Sequence, residues 1–497
     1  MPELSHRRRM LVLAICCMSL LIVSLDNTVL NVALPSMQRE LHASLSGLQW
    51  TIDAYTLVLA SLLMLSGSTA DRIGRRRVFK TGLVIFTLGS ALCSVAPNLQ
   101  TLVIFRMMQA IGGSMLNPVA MSIITNTFTD PKERARAIGV WGGVVGLSMA
   151  AGPLIGGLLV DSVGWRSIFW VNLPIGVAAL ILTWKFVPES RAGKARRPDP
   201  VGQLLVIGVL AGVTSTIIEV PSAGWTSPLI LALICLAVLC LVALLVYEPR
   251  RPEPLIDLRF FRSAPFSGAT AIAVCAFAAL GGFLFVNTLY LQEVRNLSAL
   301  HAGLYLLPMA AMTGICAPLS GRVVGSRGPR PSLIIAGVGM TVSGVLFAVL
   351  DAEAHTPLLL LGYVLFGFGF GWVNAPITNT AVSGMPRSQA GVAAAVASTS
   401  RQIGSTLGVA VLGAVLAGGV AASSGHGKAP ASYIHDFTDA ARPAWWILTA
   451  CGLAVLVLGI VTSGDWARRS AQRAAARFEQ DAPPASAAAG TGSSRAL

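Results

Sequence analysis

The sequence predicts an all-α integral membrane protein of fourteen transmembrane helices, in which two pseudo-symmetric six-helix bundles carry two further helices inserted between them. Three observations point to this. Of 497 residues, 54% are hydrophobic and only 12% are charged, where an average soluble protein carries about 25% charge. The apolar residues fall in runs of the length a helix needs to cross the hydrocarbon core, about 20 residues. The chain also repeats itself, weakly but in order, across its two halves. The same numbers exclude a soluble domain, a disordered chain and a disulfide-stapled secreted fold.

Read between charged or Pro/Gly-rich breaks, the apolar runs lie near 10–33, 47–68, 78–96, 99–126, 137–160, 167–187, 201–220, 228–247, 266–291, 302–324, 332–350, 356–380, 392–420 and 444–463. The first follows a basic MPELSHRRRM stretch and continues past Asp26 to Pro35 without a small-residue cleavage site, so it reads as a first helix and not a removed signal. An even number of spans puts both termini on one side, and the bias of basic residues chooses the side. With the termini inside, 30 of the 36 Lys and Arg fall in cytoplasmic segments, the last inner loop holding Arg387 and Arg401. Five fall outside (Arg39, Arg166, Arg295, Lys428, Arg442), and Arg106 lies within a span. A multi-pass protein of the inner membrane with both termini cytoplasmic is expected.

The repeat is seen in Gly67, Gly74 and Arg76, which recur 254 residues later as Gly321, Gly328 and Arg330; ITNT at 124–127 recurs at offset 253, and Pro131-Lys132 at 255 as Pro386-Arg387. Two parallel six-helix units follow, a transporter architecture whose site lies at their interface. The expected division is 1–187 for the first bundle, 188–262 for the inserted helices 7 and 8 with their charged flanks, 263–465 for the second bundle, and 466–497 for a cytoplasmic, partly disordered tail.

The net charge of +14 sits in short clusters between apolar runs, a topology signal and not a nucleic-acid footprint. All eight cysteines (16, 17, 93, 235, 240, 275, 316, 451) lie in apolar runs without CxxC spacing, and the six histidines fall in expected loops or termini. No metal site, cofactor or enzymatic constellation is expected. The expected partners are small organic molecules and the bilayer, and the chain is expected to act as a monomer.

Between helices 2 and 3 runs GSTADRIGRRR (67–77), with Gly67, Asp71, Arg72, Gly74, Arg75 and Arg76. Orientation alone accounts for the arginines but not for the spacing of glycines and aspartate, which resembles the signature loop of the major facilitator superfamily. LDNTVLNVALP (25–35), RMMQAIGG (106–113), AGPLIGG (151–157) and WRSIFWVNLPIG (165–176) follow in order. Together they resemble the fourteen-helix drug:proton antiporter branch of that superfamily. The resemblance implies proton-coupled export by alternating access, a conformational role for the 67–77 loop, and an outer-side hinge at Gly152, Pro153, Gly156 and Gly157. Close helix packing is the plainer reading of those glycines.

An ionised group at mid-bilayer is costly and persists where it meets a cavity or a partner. Asp26, Asp53 and Arg106 enter from the outer side to similar depths and are expected to meet in one polar cluster. Arg106 either locks one aspartate for structure or sets both protonation equilibria, with Asp26 the principal coupling acid and Asp53 modulating it. Glu219 ends helix 7 near the surface, an interfacial residue before a proton site. Asn31, Tyr55, Gln109, Asn117, Asn287, Tyr290, Trp372 and Asn374 are cavity candidates. The expected activity is proton-coupled export of amphipathic drugs, dyes or antiseptics, the alternative being a dedicated exporter of one endogenous metabolite.

Overall fold

The computed structural model describes residues 5–191, 199–251, 254–255, 257–350, 355–383, 390–424 and 430–480. Fourteen helices are long and apolar enough to cross a membrane, and no strand occurs among the described residues. The first six are α1 (His6–Leu41), α2 (Leu45–Ile73), α3 (Arg75–Ser94), α4 (Leu99–Thr127), α5 (Pro131–Ser162) and α6 (Ser167–Phe186, with a turn at Val171). Next come α7 (Pro200–Ala223) and α8 (Pro228–Tyr247). The last six are α9 (Ala264–Leu289, continued by a π-helical turn over Tyr290–Val294), α10 (Ala299–Arg327), α11 (Pro329–Val349), α12 (Thr356–Val382, broken at Trp372–Val373), α13 (Ala390–Ser424) and α14 (Pro430–Val461).

The repeat reappears in the packing. In the first half α1 lies along α5, α2 along α4 and α3 along α6; eight helices on, α9 lies along α13, α10 along α12 and α11 along α14. Aromatic rings fill the second half, where Phe283 stacks on Phe366 at 4.1 Å between centroids and meets Tyr363 and Trp445 edge-on. The inserted α7 packs on α8, α2 and α13, whereas only 11% of the apolar window of α8 is buried, which leaves it facing lipid.

Several helices outrun their apolar runs, because hydropathy marks the membrane and not the helix. Asp130 caps α5 by accepting from the amides of Lys132 (3.0 Å) and Glu133 (2.9 Å), so α5 begins before its apolar stretch. Residues 466–480, expected in the tail, belong to a helix α15 (Asp465–Gln480). Ala467, Ala471 and Ala474 bury one stripe of it at helical spacing, and the Ser470 hydroxyl accepts from the Ala264 amide at the start of α9 (2.9 Å). Alanine is too weakly apolar for that stripe to stand out in sequence. Residues 481–497 of the expected tail, residues 192–198 in the charged flank before helix 7, and the Pro386-Arg387 match fall outside the described residues.

The fourteen spans leave one face bearing both termini and one opposite. The opposite face is shut. Gln292 donates to the carbonyl of Val32 (2.8 Å), joining α9 to α1. The Asp161 carboxylate at the end of α5 accepts from the first amides of α10, Ala299 (3.2 Å) and Leu300 (2.9 Å). A Cβ built on Gly157 would stand 2.5 Å from the Leu300 Cα, so only glycine permits this approach. Toward the termini the contact thins: a Cβ at Gly146 would lie 3.9 Å from Gly314, and beyond it Gly139, Gly142 and Gly143 on α5, with Gly321 and Gly325 on α10, have nothing within 4 Å. The halves are parted on the termini-bearing face.

Candidate functional site

Arg106 and Gln109 sit three residues apart on one side of α4, where helical geometry makes them neighbours. Both reach Asp26 of α1. The Arg106 Nη1 pairs with Asp26 Oδ2 and also donates to Gln109 Oε1 (2.8 Å), while Gln109 Nε2 donates to Asp26 Oδ1 (2.8 Å). Asn172 of α6 donates to the same Oδ1 (3.0 Å) and to Ser90 of α3 (3.2 Å). Arg106 Nε donates to the carbonyl of Thr51 (3.3 Å), and its guanidinium lies 4.1 Å from the Tyr55 ring and 5.9 Å from that of Phe169. This network ties five helices of the first half together, and Asp26 and Arg106 are 4% and 0% exposed. Breaking such a pair by removing one member costs about 3–5 kcal/mol.

Asp53 is not part of it. At 100° per residue, Gln49, Asp53 and Thr56 share one face of α2, while Thr51 and Tyr55 look toward α4. The Asp53 face meets the other half of the protein: Gln49 Nε2 donates to the carbonyls of Val409 (3.1 Å) and Ala410 (2.9 Å) on α13, and the Thr406 hydroxyl donates to that of Thr56 (2.8 Å). Between these two contacts Asp53 is wholly buried, with neither carboxylate oxygen hydrogen-bonded. The three charges expected in one cluster are thus divided, a matched pair inside the first half and a bare acid on the seam between halves. Arg106 faces Asp26 alone, so it is not placed to tune both acids.

The other candidates scatter. Tyr55 and Gln109 belong to the Arg106 network, with the Tyr55 hydroxyl buried and unbonded. Asn31 donates back to the Asn27 carbonyl (2.9 Å), and the side-chain oxygens of Asn31 and Asn117 are buried without partners. Asn287 is buried and accepts from the Tyr363 hydroxyl (2.9 Å). Tyr290 lines a small cleft with Phe347, Leu359 and Trp445. The Trp372 indole N–H is buried and unbonded at the break in α12, and Asn374 follows half-exposed. Glu219 accepts from the Trp50 indole (2.7 Å), and Gln203 donates to the Ser61 carbonyl; both tie α7 to α2.

In the 67–77 loop Asp71 pairs with Arg75 (2.9 Å) and Arg72 is exposed. Gly74 has φ +130°, a left-handed conformation suited to glycine. Glu189 caps the start of α3 by accepting from the Arg76 amide (3.0 Å). The glycines at 152 and 156 pack α5 on Thr28 and Val29 of α1, Gly157 meets Leu300, and the Pro153 carbonyl meets Gly303 of α10. Of the Gly-x-x-x-Gly pairs that α5 carries at 139/143, 142/146 and 152/156, only 152/156 makes close contact at both members.

Sequence reasoning singled out neither Gln49, which carries no charge to mark it, nor Asp161 at the end of its apolar run, left Asn172 inside the 165–176 motif without a role, and misplaced Arg401. Counted with the inner loops, Arg401 lies instead within α13. The signal was present: it is the one charge in the apolar run 392–420.

The family profile described as Major Facilitator Superfamily matches residues 16–409. The chain is 38% identical over 418 residues to the multidrug resistance protein Stp of Mycobacterium tuberculosis, covering 84% of this chain and 78% of that protein. It is 37% identical over 400 residues to the tetracenomycin C resistance and export protein of Streptomyces glaucescens (80% and 74% covered). To the puromycin resistance protein pur8 of Streptomyces alboniger it is 35% identical over 448 residues (88% and 89% covered). A crystal structure of a bacterial homologue of the human lysosomal transporter Spinster shares the fold at TM-score 0.63 and 17% identity, over 97% of this chain and 100% of that one. By family profile, relatives and fold, the chain belongs to the Major Facilitator Superfamily.

Proposed function

We propose that the protein exports amphipathic organic compounds, drugs, dyes or antiseptics, across the bacterial inner membrane in exchange for protons, with both termini in the cytoplasm. The observation that carries this is Asp53, a buried carboxyl without a hydrogen-bonding partner on the seam between α2 and α13. Burying an unpaired ionised carboxylate is expensive, whereas the neutral acid is accommodated at far lower cost. When the outer face parts, the Gln49 and Thr56 contacts separate and Asp53 takes a proton from outside; only then does the seam reclose cheaply. The proton leaves toward the cytoplasmic cavity as substrate enters, which makes the return step substrate-dependent. Asp26, held by Arg106, Gln109 and Asn172, keeps the first half rigid while this happens. The names of the relatives, which include a multidrug resistance protein and a resistance and export protein for one antibiotic, support export of this compound class.

The test is transport in proteoliposomes under an imposed pH gradient without ATP. Wild type concentrates substrate and moves protons in return, while Asp53→Asn keeps substrate counterflow but loses uphill transport. Undiminished gradient-driven accumulation by Asp53→Asn would remove Asp53 from the mechanism, and accumulation that needs ATP in the presence of an uncoupler would end the antiport reading.

A further inference from the structure

Arg401 is a cation at membrane depth with no acid to match it. It stands eleven residues into α13, about 16 Å along the helix. Its Nη2 donates to the Thr378 hydroxyl of α12 (2.5 Å) and its Nη1 to the Ser398 hydroxyl (3.3 Å), and its guanidinium lies 6.0 Å from the Phe277 ring of α9. Its Nε is buried without a partner. No carboxylate pairs with it among the described residues. Arg106, fully buried seven residues into α4 of the first half, is neutralised by Asp26.

An unneutralised arginine in a membrane span survives where it borders water or awaits an anion. The surroundings of Arg401 show the border. Thr378 and Asn379 are exposed and Asn374 half-exposed on the second segment of α12, which ends at Val382 on the termini-bearing side, and an uncovered face made of Asn and Thr borders water more readily than lipid chains. Arg401 itself is half-buried. This is the parted side of the molecule, where the glycines of α5 and α10 stand apart. A planar guanidinium with a free Nε beside a hydroxyl and an aromatic ring is arranged to take a carboxylate or another delocalised oxyanion with two parallel hydrogen bonds.

We propose that Arg401, with Thr378 and Phe277, is the recognition site for an anionic group on the transported compound, so that acidic amphiphiles are favoured cargo. This rests on the export reading and narrows its substrate class. Hydroxyl contacts hold the arginine side chain in the empty state with Nε covered; the incoming oxyanion replaces the Thr378 hydroxyl at Nη2, and Nε becomes its second donor as the side chain turns outward.

The test uses one apolar body at three charges: pyrenebutyrate, its methyl ester, and pyrenylbutyl-trimethylammonium, with binding to the full-length protein in detergent read by fluorescence and transport read in proteoliposomes. Wild type binds the acid about 10-fold or more tightly than the ester, the range expected of a charge-assisted pair. Arg401→Gln brings the acid down to the ester's level, and Arg401→Lys restores part of the preference, because lysine keeps the charge but not the fork. On wild type alone, labelling of the Arg401 peptide by phenylglyoxal, read by mass spectrometry, is blocked by the acid and not by the ester. Equal affinity of wild type for acid and ester, equal protection by both, protection by chloride alone, or an equal loss of all three probes in Arg401→Gln would overturn the proposal. Uphill transport of the ester and ammonium but not the acid would overturn it while leaving the export reading standing; failure to move any of the three would bring down both.

Discussion

Glycines on α5 give a way to push the molecule between its two arrangements in opposite directions. At Gly157 a Cβ would lie 2.5 Å from the Leu300 Cα and 2.7 Å from the Ala299 carbonyl. Ordinary contact needs about 3.5–4.0 Å, and both obstacles are backbone, so Gly157→Leu forces α5 and α10 apart by about 1 Å or more on the closed face. Overpacking of that kind costs about 1–3 kcal/mol, charged only to the arrangement in which this face is shut. The equilibrium moves about 5- to 150-fold toward the face being open. Gly139 has nothing within 4 Å here, yet it lies where α5 and α10 must converge if the termini-bearing face closes. Gly139→Leu leaves the present arrangement unstrained and penalises the other. Spin labels at the exposed positions Gln100 and His355, one on each half at the closed face, report the outcome as a distance distribution by double electron–electron resonance. Gly157→Leu lengthens it and Gly139→Leu narrows it onto the short distance. Shifts in the same direction for both variants, or an unchanged distribution for a folded Gly157→Leu, would refute the two-face reasoning.

Asp26→Asn and Arg106→Gln each lower thermal stability in detergent by about 3–5 kcal/mol, because each strands a buried charge or donor, and the double variant loses less than the sum; additive losses would show that the pair is not coupled. Asp71→Asn removes the pairing with Arg75 and slows turnover without changing insertion or substrate affinity, as initial rates against equilibrium binding would show; a normal rate returns the loop to a topological role. Glu219→Gln keeps an oxygen for the Trp50 indole and leaves gradient-driven transport intact, so loss of coupling in that variant would make Glu219 a proton site. A short thiol crosslinker joining Gln203→Cys to Ser61→Cys also leaves transport intact if the insert travels with the first half, to which hydrogen bonds tie α7; arrest by the crosslink would place the sliding surface between α7 and α2.

The architecture was legible because the membrane imposes it. A span must be apolar and helical, so runs of about 20 residues reveal number and order, and the repeat at 253–255 residues reappears as matched packing of α1 with α5 and α9 with α13. What hydropathy does not report is where a helix ends once it leaves the hydrocarbon. α1 continues through Pro35 to Leu41, and α15 buries an alanine stripe no transfer scale would flag.

The site was legible in depth but not in azimuth. Asp26, Asp53 and Arg106 were found because charge in an apolar run is conspicuous, and their similar depth suggested one cluster. Depth fixes only one coordinate. Two residues separate Asp53 from Tyr55, and on a helix that is about 200°, enough to send Tyr55 to the Arg106 guanidinium and Asp53 to α13. Arg401 shows the converse, since its run was apolar and its charge visible, but assigning it to a loop hid that the span surrounds it. Placed by the structure, the fixed charges have a division of roles that their sequence positions conceal. Each half holds one deep arginine, and the half whose arginine is already neutralised also supplies the free acid. If Asp53 carries the proton and Arg401 the anionic group of the cargo, the two bind at separate points, one on the seam between α2 and α13 and one on the parted side, so neither needs to displace the other by direct competition. Exchange between them must then be enforced by which face is open, and that is the role the glycine contacts of α5 and α10 are placed to serve.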